Sequence, residues 1–263
     1  MRSAVILMVL AASAWLAAER PTDKDIKELL ERVHHERDRF EDQLDGTLKR
    51  EILRGPQGEV DVARFLDDLQ ENVGRLKDRF NDDYAASAEC TTVLQHGSLI
   101  QRFMAAKPPN FKGASEWNRL AASLRELANA YGTTFPLSDG ATARRMNDRE
   151  VQRATEAVAD AVEEFKREVD AALIAANAPE AARRAALDQV AALRTAARRL
   201  ASRLGDGRPA SGEARALLEQ ARALQTASST WPLTATAKSA WTSARVPLET
   251  VVQGFGLGAV AYR

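Results

Sequence analysis

The chain has 263 residues, 45% hydrophobic and 28% charged, with 37 basic residues balanced by 37 acidic ones. That balance excludes a disordered polyelectrolyte and a polytopic membrane protein, and the length suits two domains better than one small bundle. Aromatics are sparse at 6%, whereas Ala, Leu, Arg and Glu are abundant; these lose little side-chain freedom in a helix, so long helices are favoured over strands.

The first element is a targeting segment. Arg2 supplies a basic start, Ala4 to Leu10 form an apolar run, and Ala11, Ala12, Ser13 and Ala14 follow, with Ala17 and Ala18 behind them. The uncharged stretch 4–18 is shorter than the roughly 20 residues needed to cross a bilayer. It reads as a secretory signal peptide cut after Ala14 or Ala18, with an uncleaved anchor as the alternative. The mature chain is therefore expected in the periplasm or outside the cell, with no transmembrane span. Cys90 is the single cysteine. An exported protein normally pairs its cysteines, so this fold is expected to rest on its core alone, with Cys90 a buried structural thiol.

The first predicted helix is capped by Thr22, with Asp25 three residues on in the manner of a capping box. Its stripe is Ile26, Leu29, Leu30, Val33, Phe40, Leu44 and Leu48, spaced by threes, fours and sevens, and the Gly55-Pro56-Gln57-Gly58 turn ends it. A second helix carries Val62, Phe65, Leu66, Leu69, Val73, Leu76 and Phe80. A third is expected from Ser87, with Val93, Leu94 and Ile100 inward. A fourth is expected near Ser115, carrying Trp117, Leu120, Leu124, Leu127 and Tyr131 and stopped by Gly132. The segment from Gly132 to Leu137 is apolar enough to pack.

The same pattern then begins again. Thr22 to Ile26 resemble Asn147 to Val151 at an offset of 125, and the register continues through Val33 with Val158, Phe40 with Phe165 and Leu48 with Leu173. After one deletion the offset is 124, and Leu76 meets Leu200, Ser87 meets Ser211, Trp117 meets Trp241, Tyr131 meets Phe255 and Gly132 meets Gly256. One gap across most of the unit points to a tandem duplication. The fold class read from this is all-α: a four-helix unit repeated, either as two four-helix bundles or as one fused eight-helix array. The domains are then 1–18 signal peptide, 19–137 first repeat and 138–263 second repeat. Pro247 falls where the first unit has Ser123, so the last helix is expected to kink or break there.

Each candidate chemistry has a plainer competitor. Glu31-x-x-His34 has the spacing of a di-iron ligand pair, but the second unit offers Glu156 and Ala159, and only three histidines exist (His34, His35 and His96). His96-Gly97-Ser98 lacks the frame of a nucleophile elbow. Asp67-Asp68 and Asp82-Asp83 are neighbours in sequence that diverge by about 100° on a helix. Gly254-Phe255-Gly256-Leu257-Gly258 has no room for the helix that a dinucleotide fingerprint needs. No catalytic residue, metal or cofactor is assigned.

Charge separates the halves. Residues 19–142 hold 18 basic and 23 acidic residues, and residues 143–263 hold 18 and 14. Arg194, Arg198, Arg199 and Arg203 make the sixth predicted helix basic, with Arg208 just after it, where its counterpart carries Asp67, Asp68, Glu71 and Asp78. They form a candidate face for an anionic partner of the envelope, with an ordinary solvated face as the competitor. Nucleic acid is disfavoured by export and by the lack of interleaved aromatics. The leading expectation is an exported, non-enzymatic binding or interaction protein of the bacterial cell envelope. The alternatives are a carrier with an apolar ligand inside a bundle lined by Phe40, Phe80, Trp117 and Tyr131, and an enzyme whose site is not legible.

Overall fold

The computed structural model describes residues 19–55 and 58–257. The predicted signal peptide, Pro56 and Gln57 of the predicted turn, and Gly258 lie outside them. Helix α1 (Asp23–Gln43) opens on the expected capping box: Thr22 Oγ1 accepts from the Asp25 amide, and Asp25 Oδ2 accepts from the Thr22 amide at 2.8 Å. Its stripe of Ile26, Leu29, Leu30, Val33 and Phe40 is buried.

The first departure from the sequence reading comes at Leu44. The helix stops there, because Asp45 turns its carboxylate onto the Thr47 amide and caps a separate single turn, α2 (Gly46–Lys49). An antiparallel hairpin follows, β1 (Ile52–Gly55) with β2 (Gly58–Asp61), pairing Leu53 with Val60. Leu44 and Leu53 still reach the core, each almost fully buried. Gly55 and Gly58 are thus paired at the end of a hairpin, where the sequence reading has the end of a helix.

Helix α3 (Val62–Arg79) is capped by Asp61 on the Arg64 amide, and its seven predicted core positions are all buried. Helices α4 (Ser87–Ala105) and α5 (Ala114–Ala130) begin at or beside the predicted residues. Gly113, which caps α5, has φ +99°, and a Cβ there would meet the Leu44 backbone at 3.2 Å. Only glycine lets the entry to α5 lie against the end of α1.

The connector out of α5 is packed as expected. Gly132 (φ +66°) ends the helix, Phe135 is buried, and the Leu137 amide donates to Ser98 Oγ at 2.7 Å. The Ala143 amide binds Thr91 Oγ1 and the Arg144 amide binds the Tyr131 carbonyl at 2.8 Å. Four helices follow: α6 (Asp148–Ala175), α7 (Glu180–Gly205), α8 (Ser211–Ser228) and α9 (Ala235–Gly254). Asn147 caps α6 through the Glu150 amide at 2.7 Å. Helix α9 runs unbroken through Pro247. The carbonyl that loses its partner belongs to Ser243, which is exposed and can be hydrated, so the helix is not interrupted.

The all-α fold therefore carries two hydrophobic clusters. One is drawn from residues between Ile26 and Ala143, the other from residues between Val151 and Val252. Their centres match in detail. Phe40 packs on Trp117 with ring centroids 5.3 Å apart, and Phe165 packs on Trp241 at the same 5.3 Å, both pairs tilted. These are the aromatic positions that the two registers align.

Candidate functional site

The clusters meet where α1 and α6 start. The Asp23 amide donates to Asp148 Oδ2 at 2.8 Å, and the Asp148 amide donates to Asp23 Oδ2 at 2.7 Å. Each aspartate is the first residue of its helix, so each carboxylate lies at the positive end of the other helix. Two arginines extend the exchange. Arg145 Nη2 donates to Asp23 Oδ1 and to the Pro21 carbonyl, both at 2.8 Å. In the matching positions, Arg20 donates to Asp148 Oδ1 and, at 2.6 Å, to the Met146 carbonyl.

The exchange continues in the backbone. The Arg20 amide donates to Ser211 Oγ at 3.0 Å, and the Arg145 amide donates to Ser87 Oγ at 3.2 Å. Every bond of this set joins one helical unit, or the arm before it, to the other. Burial, and next the Arg145 charge, pull the Arg20 guanidinium below its ordinary value, while Asp148 pulls it back up. Arg20 also lies over the Phe255 ring, 5.4 Å from its centroid.

Beside this junction lies a groove of about 880 Å³. One wall comes from α1 and the end of α5 (Leu29, Arg32, Glu126, Asn129), the other from the end of α9 (Gln253, Phe255). The floor is the junction: Arg20, Pro21, Arg144, Arg145 and Met146. Arg145 is 2% exposed as a side chain, and its Nε has no hydrogen-bond partner. The groove's size falls within the ordinary range for small-molecule sites, about 300–1,000 Å³.

The predicted anionic-partner residues lie elsewhere, on α7 and just beyond it. Arg194 pairs with Glu163 at 2.8 Å, and Arg203 pairs with Glu213 at 3.1 Å and binds the Pro209 carbonyl. Arg198, Arg199 and Arg208 are exposed, with no ion-pair partner among the described residues. Arg198 and Arg199 are adjacent on the helix and diverge by about 100°. Of the five residues, two are thus engaged within the protein and three are exposed.

The other sequence candidates are occupied structurally. Glu31 reaches across to Lys77 at 2.7 Å, while His34 faces Asp38 at 3.7 Å, so this pair does not converge. His96 sits on the Phe65 ring and bonds the Thr92 carbonyl. Ser98 donates to the Leu94 carbonyl while holding the connector. Gly97 is small because Leu124 and Phe135 would lie within 3.0 Å of a Cβ there. Asp82 and Asp83 turn to Lys27 and Arg149, each at 3.0 Å. Among the described residues no group of three metal-binding side chains comes together, and no helix is long and apolar enough to cross a membrane. Phe40, Phe80, Trp117 and Tyr131 are packed in the first core and do not line the groove.

Comparison with known protein families, characterised proteins and solved structures gives no match. What fold and site define together is an all-α protein with a groove between two helical clusters. The register that aligns Thr22 with Asn147 also aligns Arg20 with Arg145, two positions earlier, and this coincidence of arginines is the sequence signal that marks the junction.

Proposed function

We propose that this chain is an exported, non-catalytic binding protein of the cell envelope, built by tandem duplication, which holds a small ligand in the groove between its two helical units. The observation that carries the reading is the groove itself: both units supply its walls, and a buried arginine with an unpartnered nitrogen supports its floor. Duplication accounts for the matched aromatic pairs and the reciprocal junction. The aromatic residues that an internal carrier site would use are spent on core packing, which favours the groove over a cavity inside a bundle.

The test is native mass spectrometry of the full mature chain after incubation with an extract of its own cell envelope. A small-molecule adduct that disappears in Asn129→Trp, a change at an exposed groove position, is the expected result. An adduct that persists in that variant places binding elsewhere, and a lack of any adduct in the wild type overturns the reading.

A second reading, an anionic partner on α7 and the turn after it, is favoured by Arg198, Arg199 and Arg208, which are exposed and have no ion pair among the described residues. It requires salt-sensitive binding to phosphatidylglycerol vesicles that Arg198→Glu with Arg199→Glu abolishes. Wild-type protein that ignores such vesicles at low salt ends it.

A further inference from the structure

We infer that the groove takes a small amphiphilic carboxylate, its head held by Arg144 and its apolar body lying over Met146 and Phe255. This rests on the groove reading above and adds the class of ligand.

The argument is one of which charges are already committed. Arg20 and Arg145 are held by Asp148 and Asp23, and Arg32 by Glu126 at 2.5 Å. Two further acids line the groove. Asp25 accepts from the Thr22 amide and hydroxyl in the first turn of α1, and Glu19 accepts from the Ser211 amide at the first residue of α8. Both sit where a helix N-terminus offsets negative charge. Arg144 is the remaining charge of the lining. It is exposed, and among the described residues its guanidinium has no ion pair and no hydrogen bond.

The base of that side chain is nevertheless fixed, since the Arg144 amide is bound to the Tyr131 carbonyl at 2.8 Å. Asn129 and Gln253, both exposed on the facing walls, likewise have no side-chain hydrogen bond among the described residues. A guanidinium offers paired N–H groups that match the two oxygens of a carboxylate, and carboxamides can satisfy what remains. Apolar surface from Met146 and Phe255 lies beside them. An anionic head with a hydrocarbon body fits that division better than a polar anion or a cation.

The experiment is isothermal titration of the full mature chain with three probes: decanoate and decyltrimethylammonium below their micellar concentrations, and 1-decanol below its solubility limit. Saturable one-to-one binding of decanoate is expected, with the neutral and cationic probes at least about tenfold weaker, the span of one charge-assisted hydrogen bond. Arg144→Ala should weaken decanoate about tenfold or more, Asn129→Trp should abolish it, and Arg75→Ala, an exposed change on α3, should leave it unchanged. Equal binding of decanol, or full affinity in Arg144→Ala, overturns the carboxylate assignment while leaving the groove reading standing, provided Asn129→Trp still blocks. Binding that survives Asn129→Trp overturns both. No binding of decanoate by the wild type overturns the ligand class, and the native-mass experiment then decides the groove on its own.

Discussion

Asp23 and Asp148 each accept the other's backbone amide, at 2.8 and 2.7 Å, across the junction of two helical clusters. The bond is reciprocal in the way that isologous contacts between identical subunits are, yet here both partners belong to one chain. Each carboxylate also neutralises a buried arginine from the other unit's arm. The junction is thus a closed set of charges and amides, and it fixes the groove beside it.

Removing one member should leave a buried charge behind. In Asp23→Ala, Arg145, whose side chain is 2% exposed in the native chain, loses its closest carboxylate, a situation that costs about 3 to 5 kcal/mol. Asp148→Ala should cost a similar amount through Arg20. Urea unfolding of both single variants and the double should give a double well short of the sum, because all four side chains share one network. Strict additivity would mean the two halves of the exchange act independently.

The junction should also hold without the peptide link. Ser138, Asp139 and Gly140 are exposed in the connector, so a protease site inserted there can be cut in the folded chain. The expected outcome is that both fragments still elute together on gel filtration. Separation at micromolar concentration would show that the reciprocal bonds depend on the covalent connection.

Trp117→Ala and Trp241→Ala remove matched aromatic anchors from separate clusters. Each should lower stability by about 3 to 5 kcal/mol, as large-to-small core changes do. The double variant should come close to additive, since the sites share no partner in either cluster. Circular dichroism in denaturant checks this, and strong coupling between the two would argue for a single shared core.

Gly254→Ala should be harmful, although alanine is the better helix former. A Cβ at that position would lie 2.6 Å from Val151 Cγ2, at the contact of α9 with α6. The crowding should cost about 1 to 3 kcal/mol. A thermal midpoint equal to or above wild type would show that Val151 moves aside freely.

Cys90 is fully buried, and burial pushes its thiol well above the ordinary range. Native protein should therefore fail to react with a disulfide reagent at pH 8, and react at once in guanidinium. Rapid reaction of the folded protein would place the thiol at the surface or in a region that opens readily.

Much of the fold was readable because helical burial repeats with the period of the helix. Ile26 to Phe40 and Val62 to Leu76 have to share one face whatever they pack against, and Thr22 and Asn147 cap helices through their own neighbours. Where local preferences competed, the period misled: Leu44 and Leu48 continue the α1 stripe, yet the Asp45-Gly46 turn wins and a hairpin follows. At Pro247 the helix does not break, because an exposed residue carries the carbonyl that loses its donor.

By itself, then, the sequence determined the helical class, the caps and the aromatic registers, all of which depend on residues near one another along the chain. Only the tertiary structure decided that Arg20 meets Asp148 and Arg145 meets Asp23, 128 and 122 positions apart, and that Arg144 has no ion pair among the described residues beside them. A charge carries no periodicity that names its partner. Its role follows from which surfaces meet, and that is settled by packing the two cores against each other.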